Sequence, residues 1–283
     1  MNKVYVFPAI FLLLLCCGCR KAGRQTEIMR HHEHLLHALV AGDTAALRHE
    51  QCYVADSLAA DTLLASPRLN EYLCAWADSY GSSPADSLAV ERFSEDVKRL
   101  AVRLLDDRRE KSLEEMLRIV ARRLLEQGMD NVAAVTAAAA VGVDADPHRP
   151  GDIAKRLLTR LLLLGADAPR LSTGHLPAPG VATLLLFYET TCPECEEVLQ
   201  SLSQSYASLT ERGVQVVSIA SDYDGQVFLA RAATLPWSAK WQAPYGFYSD
   251  DFEAYGIAAT PTLVSISKEG KVTGFAAKLE EEP

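Results

Sequence analysis

Two cysteines three residues apart, Cys192 and Cys195 in "CPEC", follow directly on the apolar run "VATLLLF", Val181 to Phe187. A run this short, bounded by Gly180, predicts a strand buried on both faces. From Cys195 to Arg212 the apolar residues Val198, Leu199, Leu202, Tyr206 and Leu209 fall at helical spacing, and Gly213 ends the helix. A strand therefore runs through a tight turn into a helix that carries the cysteine pair at its start. "VQVVSIA", Val214 to Ala220, predicts a second buried strand, and "TPTLVSIS", Thr260 to Ser267, a third. "KEGK" is a tight turn from which "VTGFAA" pairs back as a fourth. Strand–helix–strand followed by a hairpin makes this half of the chain α/β.

The preceding half reads differently. From Gln25 to Leu164 the apolar spacing is helical almost throughout. "SPRLNEYLCAW" offers Ser66 as N-cap and Pro67 as first helical residue. Ser112 with Glu115 forms a capping box ahead of Leu113, Met116, Leu117, Val120, Leu124 and Leu125. Gly128 closes that helix, Asp130 opens a helix of small residues, and Asp152 starts a last one that stops at Gly165. No fixed repeat period appears, so an irregular all-helical module is expected. Proline and glycine concentrate in "LGADAPRLSTGHLPAPG", which places the domain boundary near Gly165.

"RHHEHLLH" brings His31, His34 and His37 towards one helix face, where a metal ligand set is conceivable. The segment reads instead as a polar, solvated linker, with nothing nearby to complete fixed geometry, and no metal is assigned. Cys52 and Cys74 either bridge two helices or stand as separate thiols. The formal net charge of -9, with no basic stretch, argues against a nucleic-acid partner.

The N-terminus has a short positive start at Lys3 and then an apolar run ending "LLLLCCGCRK". The run is too short for a lasting membrane span and has signal-peptide proportions. Gly18 before Cys19 resembles a bacterial lipoprotein signal. The resemblance implies a signal peptide at 1–18, lipidation of Cys19, and a body tethered in the cell envelope facing the periplasm. In that compartment disulfides form and persist.

A strand, then C-x-x-C opening a helix, then a distant T-P-T before a hairpin, resembles the thioredoxin fold. "ADAPRL" and the lengthened Asp222–Tyr255 stretch are similar to the TlpA/ResA-like branch of envelope thioredoxins. A helical half before such a domain is similar to thioredoxin lipoproteins of Bacteroidetes. The implied organisation is a helical domain at 19–164 and a thioredoxin-like domain at 165–283. The implied activity is thiol–disulfide exchange with envelope proteins, supplied by an upstream membrane electron donor. It needs no cofactor beyond the redox-active Cys192–Cys195 pair.

The residues agree with that expectation over its rivals. Zinc clips need four ligands, yet no cysteine follows Cys195 and the last histidine is His175. The threonine that peroxiredoxin-type chemistry asks for, three before the reactive cysteine, is Glu189. A permanent bridge over so short a loop gains little loop-closure stabilisation. Cys192, at the helix N-terminus, is the expected attacking sulfur, because unpaired N–H groups there favour a thiolate. Cys195, one turn deeper, is the expected resolving sulfur. Pro193 pre-sets the first turn, and Glu194 is expected to face solvent. In this fold the proline before the third strand is cis, so Pro261 would lie against the pair and Thr260 would pair with an incoming peptide. Leu186 stands where thioredoxins carry a buried Asp; Glu189 is either a partial substitute as proton acceptor or, as the favoured reading, a loop residue. The alternative reading is a non-catalytic thioredoxin-fold module that docks a partner.

Overall fold

The computed structural model describes residues 26–81, 83–173 and 180–279. The expected signal segment and Cys19 lie outside the described residues. Among those described, no helix is long and apolar enough to cross a membrane.

The chain forms two compact units that divide after Pro150. The first is helical throughout: α1 (26–41), α2 (Thr44–Asp56), α3 (Ala60–Leu64), α4 (Leu69–Asp78), α5 (Ser87–Asp106), α6 (Glu110–Glu126) and α7 (Asp130–Ala139). α7 buries nearly every side chain, which its alanines permit by letting α5 and α6 approach closely. Asp96 is fully buried on α5 and accepts hydrogen bonds from Arg48, Arg99 and Tyr80. Burial raises its pKa, but those three donors outweigh it and hold the carboxyl below its ordinary range.

Three local readings change here. Ser66 does not cap α4. Its hydroxyl accepts from Arg68 N–H at 3.2 Å, a local turn that delays the helix to Leu69. α6 begins at Glu110, so Ser112 lies inside the first turn rather than at its cap. "RHHEHLLH" is no solvated linker: His31 and His32 are buried. His31 Nδ1 lies 2.7 Å from Glu50 Oε2, and its ring stacks on Tyr53. Cys52 on α2 and Cys74 on α4 are separate free thiols.

The second unit contains α8 (Gly151–Leu163), β1 (Ala182–Tyr188), α9 (Pro193–Glu211), β2 (Val214–Ala220), α10 (Gly225–Ala232) and β3 (Ala239–Gln242). A 3-10 turn (Gly246–Tyr248), α11 (Asp250–Ala254), β4 (Thr262–Ile266) and β5 (Val272–Ala276) complete it. The five strands form one sheet in the order β3-β2-β1-β4-β5. β1, β2 and β3 run parallel, while β4 and β5 are antiparallel to their neighbours.

β1 is the centre, and its apolar run follows from that position. Leu184, Leu186 and Tyr188 pack with Val198, Leu199 and Leu202 of α9. Leu185 and Phe187 point the other way, against Phe252 and Tyr255. The lengthened stretch after β2 supplies α10 and the edge strand β3. α8 belongs to this unit, so the division falls 14 residues before the one expected at 164. Arg156 of α8 donates to the carbonyls of Ile257 at 3.0 Å and Phe247 at 2.7 Å. The Arg160 guanidinium lies 4.8 Å from the Phe275 ring centre. The two Arg156 hydrogen bonds hold the segment that leads into Thr260.

Candidate active site

The chain leaves β1 at Tyr188 and reaches α9 in four residues, and the turn is held from both sides. Cys192 N–H donates to the Glu189 carbonyl at 3.3 Å. Thr190 donates through its N–H, at 3.1 Å, and its hydroxyl to the carboxylate of Asp222, just past the end of β2. Asp222 is itself buried, so this latch ties the cysteine turn to the neighbouring strand.

Cys192 is the N-cap of α9, with extended backbone and Pro193 as the first helical residue. Its Sγ accepts from Cys195 N–H at 3.3 Å, the bond that a capping side chain makes to an unpaired helix donor. The residue is partly exposed. Cys195, one turn further on, is fully buried among Leu186, Tyr188 and Leu199. Burial first, then the hydrogen-bonded thiol of Cys192, push the Cys195 thiol up to about 12. The Glu189 N–H, 3.5 Å from the sulfur, and the Thr260 side chain act in the opposite direction.

The Thr260–Pro261 peptide bond is cis. The Thr260 carbonyl lies 4.0 Å from Cys192 Sγ, and both residues are partly exposed. Cys192, Cys195, Thr260 and Pro261 are thus gathered at one edge of the sheet. Glu189 reaches Cys195 through its backbone, while its carboxylate takes the Thr191 hydroxyl at 3.1 Å. Glu189 is thus a loop residue, the favoured reading, with its carboxylate engaged inside the turn.

Glu194 is exposed, as expected, and its Oε2 also lies 3.4 Å from Cys192 Sγ and accepts from the thiol. Its own backbone N–H, then the Cys192 thiol, hold the carboxyl below its usual range. A negative charge at this distance opposes the thiolate as it forms. Glu194→Gln is therefore expected to speed the first attack of the protein on a small neutral disulfide about two- to five-fold at low ionic strength. The gain should shrink in molar salt, where exposed charges are screened; stopped-flow rates in both conditions check it.

Asp222 escaped notice in the sequence, although an acid directly after a strand that ends beside the cysteine turn was a usable signal. Glu196 of α9 pairs with Arg231 of α10 and ties the two helices together.

Residues 171–275 match the model of the AhpC/TSA family. Solved structures similar to part of the chain include one provisionally assigned as the thiol:disulfide interchange protein DsbE from Chlorobium tepidum. It is 23% identical, with a TM-score of 0.36, over 41% of this chain and 86% of that one. A thioredoxin-like protein from Parabacteroides distasonis is 20% identical, with a TM-score of 0.36, over 40% and 85%. The thioredoxin domain of a thiol-disulfide oxidoreductase from Bacteroides vulgatus is 18% identical, with a TM-score of 0.36, over 41% and 89%. No curated protein matches the chain. A five-stranded mixed sheet, a cysteine pair at the start of a helix and a cis-proline opposite it make the second unit a thioredoxin-like domain, and its residues 171–275 match the AhpC/TSA family.

Proposed function

We propose that the chain is a thiol–disulfide oxidoreductase in which Cys192 attacks and Cys195 resolves. The observation that carries this reading is the asymmetry of the pair. One sulfur is partly exposed at a helix N-terminus beside a cis-proline; the other is buried behind it with its thiol held protonated.

The Cys192 thiolate attacks one sulfur of a client disulfide. A Cys192–client disulfide forms, and the other client sulfur leaves as a thiolate and takes a proton. Cys195 then loses its proton and attacks Cys192 Sγ. The mixed disulfide breaks, the second client thiol is released, and a Cys192–Cys195 disulfide remains. Two electrons have passed to the client, and a dithiol donor must return them before the next cycle. The partly exposed Thr260 backbone offers the client a strand-like pairing edge during the attack.

On the same reading, the clients are proteins of the bacterial cell envelope, and the donor is a membrane dithiol protein. Cys19 would carry the lipid that tethers the chain facing the periplasm. The sequence of residues 1–19 supports that part.

The test is insulin reduction by the full chain with dithiothreitol as donor. Catalysed precipitation of the insulin B chain well above the dithiothreitol background is expected. A rate equal to background would overturn the reading.

A further inference from the structure

β1, β2 and β3 end level with one another, Tyr188 pairing with Ala220 and Ala220 with Gln242. The strands are parallel, so the chain leaves all three on the same edge of the sheet. Antiparallel β4 begins there too, with Thr262 opposite Phe187. Following the strand order β3-β2-β1-β4, that edge presents Tyr245, Tyr223, Cys192 and Pro261 in sequence.

Three large aromatic side chains on this side stand open to solvent: Tyr223 at 73%, Tyr245 at 67% and Tyr248 at 74%. Their setting is built. Gln242 Nε2 donates to the Asp222 carbonyl at 2.7 Å, fixing the residue before Tyr223. The Tyr223 hydroxyl donates to the Tyr245 carbonyl at 3.3 Å. Gly246, at φ +54, lets the ring approach: a Cβ there would lie 2.9 Å from the Ser221 carbonyl and 3.1 Å from the Tyr223 ring. The charged residues flanking these positions in the chain are the acids Glu189, Glu194, Asp222, Asp224 and Asp250 and one cation, Lys240, whose ammonium donates to the carbonyls of Ala232 and Leu235.

Adjacent strands lie about 4.8 Å apart, so the ring platform starts roughly one strand from the cysteine turn and ends roughly two strands away. That is about one and a half to three residues of extended peptide, so the second and third residues from the cysteine fall over the rings. A tyrosine face attracts aromatic rings and cations, and the surrounding carboxylates favour cations further.

We propose that Tyr223 and Tyr245 form a client-reading platform. It takes a cationic or aromatic side chain two to three residues from the disulfide-bonded cysteine of a basic polypeptide segment. This rests on the redox reading above, whose substrate class it narrows.

The test uses the reduced full chain and two disulfide peptides, identical except for Arg-Phe or Glu-Ser at the second and third positions beyond the cysteine. Single-turnover rates are normalised on each variant to the rate with 2-hydroxyethyl disulfide. Fluorescence anisotropy with the serine analogues of both peptides reports binding without redox chemistry. The Arg-Phe peptide should react about tenfold faster and bind correspondingly tighter. Tyr223→Ser with Tyr245→Ser should erase most of that preference, and Tyr223→Phe with Tyr245→Phe should keep it. Equal handling of the two peptides, or a preference that survives in the serine variant, overturns the platform. Failure of the wild type to react with 2-hydroxyethyl disulfide would instead contradict the redox reading, and the binding arm would still decide the platform.

Discussion

With serine in place of Cys195, the protein should become covalently joined to its clients, as mixed disulfides that survive non-reducing electrophoresis and vanish with dithiothreitol. The attacking sulfur is untouched in that variant, but the group that would release the client is gone. Cys192→Ser should show no such adducts, and its exchange rate should fall by at least roughly 10³-fold, as on loss of a nucleophile. The other sulfur of the pair is buried and cannot take over the attack. The same asymmetry predicts a pH dependence. The Cys195 thiol is pushed up by burial, so only a small share is thiolate at neutral pH. That share grows about tenfold per pH unit below the pKa. Release of a pre-formed mixed disulfide should therefore accelerate by about that factor per unit from pH 6 to 9. A plateau near pH 7 would mean that the resolving thiol ionises more readily than its burial allows.

The second large effect concerns what holds the edge of the site in place. Gly256 sits at φ +61, between α11 and the segment leading to Thr260. A Cβ there would stand 2.3 Å from the Arg156 carbonyl oxygen and 2.7 Å from Arg160 N. Both atoms are backbone of α8, so the clash can be relieved only by moving the helix or the Gly256 backbone. Left-handed backbone costs a non-glycine residue about 1–2 kcal/mol, and overpacking adds about 1–3 kcal/mol. Gly256→Ala is therefore expected to destabilise the sheet unit by about 3 kcal/mol. Gly270 provides the control: its φ is +77, but nothing lies within 4 Å of its added Cβ. Gly270→Ala should cost only the backbone part, about 1 kcal/mol. Urea dependence of hydrogen exchange at the β1 amides measures both. Equal costs would mean that α8 does not pack on Gly256 as described.

Much of this was legible in the sequence, and the parts that were not share physical causes. β1 could be read because a strand buried on both faces is apolar without alternation. Cys192 could be placed because Pro193 marks the first turn of a helix. β3 could not: Ala239 to Gln242 is a four-residue edge strand, half-buried throughout, with no apolar pattern. α8 was assigned to the wrong unit because an apolar helical stripe says that a core is covered, not which one. Its partners are the carbonyls of Ile257 and Phe247, and carbonyls leave no residue signature. Ser66 and Ser112 look like caps, but a hydroxyl can close a local turn or sit within a first turn equally well. Glu194 faces solvent as its place in the sequence implies, but its contact with Cys192 is not legible there. Exposure and contact with the sulfur turn out to be compatible, since a side chain at the second helical position can hydrogen-bond back to the cap.

The reduction potential of the Cys192–Cys195 couple, measured on the full chain against glutathione or dithiothreitol buffers, bears most directly on whether these two sulfurs exchange electrons with clients. The account predicts a reversible couple above about -300 mV, the range of labile and catalytic disulfides. A bond that resists reduction below that value would be a structural staple, and the attack and release assigned to the two cysteines would not occur.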